Sequence, residues 1–230
     1  YSAVVTNEGS LVVYSDDFGD TWTPLGGADA RPAPEGDEAK LEELPDGRVL
    51  LSCRRSGKDG RWFNVFSYGD NSYGQGSWAR PVASENPDGG TATINNNCNG
   101  EILLVPAKAK DGSRVYVALQ SVPRGTPGNH PSNLERRSHV SVYWKAFRSA
   151  ADWASPENWK DGWERYEITD GYSAYSSMAI GDKGNICFIY EDDGVRFRLG
   201  SQSTEMYSIF YRNLTLKEIT GGKYKYSKIK

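Results

Sequence analysis

Ser15-Asp16-Asp17-Phe18-Gly19-Asp20-Thr21-Trp22 is the stretch whose reading decides the fold of this chain. Leu11-Val12-Val13-Tyr14 before it has the branched and aromatic composition of a strand, and residues 22–25 continue as another. The octet is therefore predicted to be the turn of a β-hairpin. Gly19 can take positive φ where the chain reverses. Asp17 can accept hydrogen bonds from the backbone N–H groups of the turn, and Trp22 can fold back as its anchor.

The composition outside the turn agrees with a β-rich protein. Seven Trp, fourteen Tyr and twenty-five Gly in 230 residues favour sheets joined by aromatic-anchored turns, as in propellers and sandwiches. At 37% hydrophobic and 25% charged the chain can bury a core. A formal charge of −3 gives no basic footprint for nucleic acid. Cys53, Cys98 and Cys187 have no paired metal-ligand spacing, and His130 and His139 add no metal motif, so neither a disulfide framework nor a metal site is expected. No apolar run is long enough to span a bilayer, and Tyr1-Ser2-Ala3-Val4-Val5 reads as a strand, so the chain is expected to start within a fold.

Taken in order, residues 2–6, 10–14 and 22–25 read as the later strands of a first unit, and 31–36 as a connection. A hairpin follows, with 38–44 and 48–54 as strands around Pro45-Asp46-Gly47. Residues 62–67 continue that second unit, and 71–78 sit where another turn of the Ser15–Trp22 kind would fall. The third unit is expected over 91–94, 101–106, 115–121 and 139–144, with a Pro/Gly/Asn-rich loop at 123–136. A Trp-rich connection with one helical turn covers 149–163. The fourth unit is expected over 173–180, 185–190, 207–212 and 214–219. Four-stranded units at intervals of roughly 50–70 residues match the blades of a β-propeller, with a sandwich as the alternative.

The spacing Ser-x-Asp-x-Gly-x-Thr-Trp resembles the Asp-box of sialidases and related propellers, a structural turn that lies away from the chemistry. Gly171-Tyr172-Ser173-Ala174-Tyr175-Ser176-Ser177-Met178, a turn at Gly181-Asp182-Lys183-Gly184, and an apolar strand ending in Tyr190-Glu191 resemble the nucleophile region of exo-α-sialidases. Three more segments fall in the family's order. Glu38 to Ser56 resembles the hairpin that opens with the catalytic glutamate and closes with an arginine. Asn97-Cys98-Asn99-Gly100 resembles its Cys-Gln-Gly turn, and Arg137-Ser138-His139-Val140-Ser141-Val142-Tyr143 the strand that begins with another active-site arginine. The resemblance implies an all-β propeller of the six-bladed sialidase type, with about four blades in this chain.

It also implies roles. Sialic acid carries a carboxylate on its anomeric carbon, which a planar guanidinium grips through paired hydrogen bonds. Arg55 and Arg137 are the implied clamps. Arg54 and Arg55 point to opposite faces of a regular strand, so only one of them can line the pocket, and Arg136 poses the same choice beside Arg137. The substrate carboxylate would repel an acidic nucleophile, and the family uses a tyrosine instead. Tyr175 is the implied nucleophile and Glu38 the base that takes its proton, with Glu42 and Glu43 competing for that role. Nearby arginines would favour the phenolate. Glu191 resembles the carboxylate that orients the family's first arginine, with a surface salt bridge as the other reading. Asn99 is a possible substrate contact, although a turn role ranks above it.

Two parts of the family pattern have no counterpart. No Arg-Ile-Pro segment occurs, and Asp17 belongs to the turn and cannot serve as the acid/base aspartate. Residues 1–230 are therefore expected to be the C-terminal part of a single sialidase catalytic domain, with the complementary N-terminal fragment as a partner and sialylated glycans as substrates. No metal or cofactor is implied, and the resemblance points to a secreted, periplasmic or cell-surface setting. The competing function is a non-catalytic Asp-box propeller that binds glycan or protein.

Overall fold

The computed structural model describes residues 1–55, 57–69, 75–92, 94, 98–126, 136–193, 198–199, 202–203 and 207–228. Its strands form four blades in a β-propeller-like arrangement. Blade 1 holds β1 (Ser2–Thr6), β2 (Gly9–Tyr14), β3 (Thr23–Pro24) and β4 (Ala33–Pro34), the last two both paired to β2. Blade 2 holds β5 (Ala39–Glu43), β6 (Val49–Arg54), β7 (Arg61–Tyr68), β8 (Gly76–Trp78) and β9 (Val82–Ser84). Blade 3 is built from β10 (Ile102–Ala109), β11 (Arg114–Pro123), β12 (Val140–Phe147) and β13 (Glu164–Glu167). Blade 4 begins with β14 (Ser173–Ile180) and β15 (Ile186–Asp192). A small ribbon of β16 (Arg198–Leu199) and β17 (Gln202–Ser203) precedes its third strand, β18 (Ser208–Leu214). The chain then returns to blade 3, where β19 (Tyr224–Tyr226) pairs with β10.

Each pair of neighbouring blades shares an apolar layer, because successive side chains of a strand point to opposite faces. On β6, Val49, Leu51 and Cys53 enter the layer against blade 1, which Val12, Leu25 and Ala33 complete. Leu50 faces the other way, into a layer with Phe63, Val65, Ile102, Leu104 and Val122 of blades 2 and 3. The connection after β12 adds Trp153, Trp159 and Trp163 to that layer. Phe63 stacks on Trp163 with ring centroids 5.5 Å apart, and each of the three indoles donates a hydrogen bond, so the aromatic bulk is buried without an orphaned N–H. The third layer joins Val105, Val117 and Val142 of blade 3 to Met178, Ile186 and Phe188 of blade 4.

The outer faces differ. Val4 and Val5 of blade 1 and Ile189, Ile209 and Tyr211 of blade 4 are exposed.

The Ser15–Trp22 turn folds as its residue types require. Phe18 and Gly19 take φ of 61° and 97°. The Ser15 hydroxyl accepts from the Gly19 N–H at 2.8 Å, and Asp17 accepts from the Thr21 N–H at 2.9 Å and its hydroxyl at 2.5 Å. The bonds from Thr21, then that from Ser15, hold the Asp17 carboxyl down at about 2. Trp22 donates to the Gly19 carbonyl at 3.1 Å but stays half exposed.

Several predicted elements differ. Residues 31–36 contain the short β4, and 91–94 form no strand among their described residues. Residues 71–74, 97 and 127–135, which fall within three of the predicted segments, lie outside the described residues. The helical turn in 149–163 is helix α1 (Ala150–Ala154) followed by a 3₁₀ turn at Pro156–Trp159. The strand expected at 214–219 is instead helix α2 (Leu216–Ile219), started by a Thr215/Glu218 capping box. The charged β13 and the short β19 were not predicted.

Candidate active site

The site forms where the first strands of blades 2 and 4 begin. The Pro45-Asp46-Gly47 hairpin sets its geometry: β5 and β6 pair with Glu43 opposite Val49 and Ala39 opposite Cys53. One step further the Arg54 N–H donates to the Glu38 carbonyl at 2.8 Å, so Glu38 and Arg54 are cross-strand neighbours. Their side chains also meet, with Arg54 Nη1 2.8 Å from Glu38 Oε2 and Nε 3.5 Å from Asp37 Oδ2.

Tyr175 comes to this pair from β14. The register between β14 and β15 slips by one residue between Ser173 and Ser176, a bulge that inserts Tyr175 and re-aims it. Its N–H donates instead to Glu191 Oε2 at 3.2 Å. The bulge thus turns Glu191 into the support of Tyr175. No described cation pairs with Glu191.

The Tyr175 hydroxyl lies 3.1 and 3.2 Å from the two Glu38 oxygens and 3.2 Å from Arg54 Nη1. The Arg137 guanidinium sits over the Tyr175 ring, 5.6 Å from its centroid. Burial, followed by the Glu38 charge, pushes the Tyr175 phenol up to about 12, and Arg54 offsets only part of this. Arg54 thus favours the phenolate in direction, as expected, but burial and the Glu38 charge outweigh it, and the phenol keeps its proton at neutral pH until a base takes it. Burial alone would lower Arg54, but the hydrogen bond to Glu38 and the charges of Asp37 and Glu38 outweigh it and raise it above the usual arginine value.

Arg55 is not in this cluster. Adjacent strand residues face opposite ways, and Arg55 turns to the far side. There Nη1 binds Glu85 Oε2 and the Asp59 carbonyl, each at 2.6 Å, and the guanidinium stacks 4.5 Å from the Trp62 ring centroid. The guanidinium bonded to the Tyr175 hydroxyl belongs to Arg54, so the placement of Arg55 in the pocket is corrected. Glu42 and Glu43 are elsewhere too. Glu43 is exposed, and Glu42 accepts from the Leu104 N–H at 2.8 Å between blades 2 and 3. Burial, helped by the charges of Glu101 and Glu43, pushes Glu42 up to about 7 against that hydrogen bond.

Asn99 is half buried, and its Oδ1 accepts from Arg61 Nη2 at 2.9 Å. Arg61, fully buried, also donates to the Ser52 hydroxyl at 2.8 Å. In the same turn a Cβ on Gly100 would fall 1.5 Å from the Ser121 carbonyl oxygen, so only glycine fits. Cys98 is buried beside this turn, its thiol pushed up to about 12 by burial first. Serines tie β14 to blade 3: Ser176 donates to Ser121 and Ser177 to Glu101, both at 2.9 Å. A cavity of about 180 Å³ opens beside Tyr175, lined also by Ser177, Glu191, Ile189 and Ile209. Among the described residues no group of His, Cys, Asp and Glu could hold a metal ion, and no helix is long and apolar enough to cross a membrane.

No family model matches the chain. A curated protein of Paraclostridium sordellii named Sialidase is 29% identical over 192 residues, covering 80% of this chain and 40% of that protein. In fold the chain is similar to the crystal structure of the intramolecular trans-sialidase from Ruminococcus gnavus in complex with oseltamivir carboxylate, with a TM-score of 0.57 at 19% identity. That match covers 92% of this chain and 39% of the other. The leech intramolecular trans-sialidase complexed with 2,7-anhydro-Neu5Ac gives a TM-score of 0.59 at 19% identity, over 93% of this chain and 28% of that one. The chain thus spans 40% or less of the length of each of these relatives. It is similar in sequence to a curated sialidase and shares its fold, four blades of a β-propeller, with two intramolecular trans-sialidases.

Proposed function

We propose that this chain carries the nucleophile half of a retaining exo-α-sialidase site, acting on terminal sialic acid of glycoconjugates. The observation that carries the reading is the Tyr175 hydroxyl within 3.2 Å of both oxygens of Glu38, beside Arg54. A tyrosine joined to a carboxylate base at hydrogen-bond distance is an activated nucleophile, which a pure binding module has no need of. In the first step Tyr175 Oη bonds to the anomeric carbon as the glycosidic C–O bond breaks, and Glu38 takes the phenolic proton. The departing oxygen takes a proton from an acid outside this chain. In the second step water attacks the same carbon and gives a proton to the conjugate base of that outside acid, the Tyr175–carbon bond breaks, and Glu38 returns its proton to the phenolate. Arg54 and Arg137 bind the substrate carboxylate and stabilise the charge that develops around it. Asn99 acts through the turn and not by touching substrate, and Glu191 holds the Tyr175 backbone.

In this reading residues 1–230 are the C-terminal part of one sialidase propeller domain. The remaining blades supply the first arginine and the acid/base aspartate, and cover the apolar outer faces of blades 1 and 4. Sialylated glycans place the enzyme outside the cytoplasm, secreted, periplasmic or on the cell surface. The test is proton NMR of a sialoside incubated with the full-length protein: the reading expects free sialic acid released first as the α anomer. Release of the β anomer would exclude a covalent intermediate, and tight sialoside binding without turnover would favour the glycan-binding propeller.

A further inference from the structure

The opposite end of blade 3 carries a second cluster of charge. Strand β10 starts just after the Cys98-Asn99-Gly100 turn and ends at Lys108 and Ala109, about 23 Å away for eight residues at roughly 3.3 Å each. There β19 pairs with it so that Lys225 stands directly opposite Lys108. Like charges directly opposite on neighbouring strands repel and destabilise the pairing. Lys110 follows two residues after Lys108, and Lys217 of α2 and Lys223 reach the same cavity, which measures about 250 Å³.

Local acids do not relieve this. Glu218 is used in the capping box with Thr215, and Asp111 accepts from Ser113. Glu164 pairs with Lys223. Among the described residues Lys108, Lys110, Lys217 and Lys225 have no carboxylate at ion-pair distance, in a chain whose net charge is −3. An arrangement that costs stability in the free protein is stabilised by any anion that bridges the ammonium groups.

Lysines are compact point charges without the fork that selects a single carboxylate. A cluster of them suits several separate, strongly acidic groups. Tyr224, half buried and edge-on to Trp144 at 5.9 Å, gives the cleft an aromatic wall suited to the C–H face of a sugar ring.

We propose that this cleft, on the propeller face away from Tyr175, binds a sulfated glycan. The proposal stands apart from the function assigned to Tyr175. It is tested by calorimetry on the full-length protein with a heparin-derived hexasaccharide, its desulfated form and a short polyphosphate. The hexasaccharide is expected to bind, with affinity falling at least about tenfold from about 50 to about 200 mM salt as the charges are screened. Lys225→Glu is expected to weaken it at least about tenfold without lowering the melting temperature, since it sets a carboxylate opposite Lys108. Hydrolysis of a small sialoside should be unchanged in that variant. Absence of hexasaccharide binding, or wild-type binding by both Lys225→Glu and Lys108→Glu, would overturn the proposal. Equal affinity for the desulfated form would remove the sulfate assignment, and equal affinity for polyphosphate would remove the glycan.

Discussion

Arg54 and Arg55 are neighbours in sequence and end in two different environments. Arg54 lies in the cluster of Asp37, Glu38 and Tyr175, with its guanidinium shared between two carboxylates and a phenol. Arg55 is closed off between Trp62, Asp59 and Glu85, every contact internal to blade 2. The strand pleat alone separates a candidate binding group from a structural one. Two changes of equal chemistry at adjacent positions should therefore have unlike consequences.

The largest expected effect lies on the Arg54 side. Tyr175→Phe keeps the ring under Arg137 and removes the attacking oxygen, so turnover of a fluorogenic sialoside by the full-length protein should fall roughly 10³-fold or more. Binding of a planar unsaturated sialic acid analogue should be largely spared. Arg54→Lys should lower kcat/KM by roughly 10²-fold and weaken the same analogue, because an ammonium cannot reproduce the fork. Arg55→Lys should leave kcat/KM within about twofold and cost about 1–2 kcal/mol in denaturant unfolding, from the lost stacking on Trp62 and a weakened bond to Glu85. If Arg55→Lys lost activity while Arg54→Lys kept it, the contrast would be broken.

The smallest effect concerns Glu42, which sits between blades and titrates near 7. A carboxyl raised in the folded state adds stability that is complete below its unfolded value near 4.5 and is lost as pH rises through about 7. Glu42→Gln keeps an acceptor for the Leu104 N–H and removes that loss. Its melting temperature should match the wild type near pH 4 and exceed it by several °C at about pH 8. Equal melting curves at both pH values would show that Glu42 titrates normally.

Much of this contrast could be read from the residues. Counting outward from the Pro45-Asp46-Gly47 turn, with Glu43 opposite Val49, brings Arg54 opposite Glu38. The hairpin thus held the information that the motif comparison passed over in favour of Arg55. The Ser15–Trp22 octet was legible because each residue type meets a local backbone need. Helix α2 was misread as a strand because Leu214, Leu216 and Ile219 are apolar, although Thr215 and Glu218 already spelled a capping box. The charged strand β13 lacks the apolar alternation that marks a strand, and β19 is only Tyr224-Lys225-Tyr226, a three-residue strand whose pairing is fixed by β10 of blade 3. The bulge at Tyr175 and the burial of Arg61 depend on partners distant in sequence. Arg61 is held by Ser52 and Asn99, and nothing around position 61 announces a guanidinium without solvent.

The central claim is that Tyr175 forms the bond to sugar. A sialosyl fluoride bearing a second fluorine beside the anomeric carbon slows both steps, and the fluoride leaving group restores the first, so the covalent intermediate should accumulate. Full-length protein treated with this reagent, digested and sequenced by mass spectrometry should carry the fluorosialosyl group on the peptide containing Tyr175, on the phenolic oxygen, and Tyr175→Phe should carry none. Label on Glu38 or another side chain, or a labelled Tyr175→Phe protein, would contradict the account.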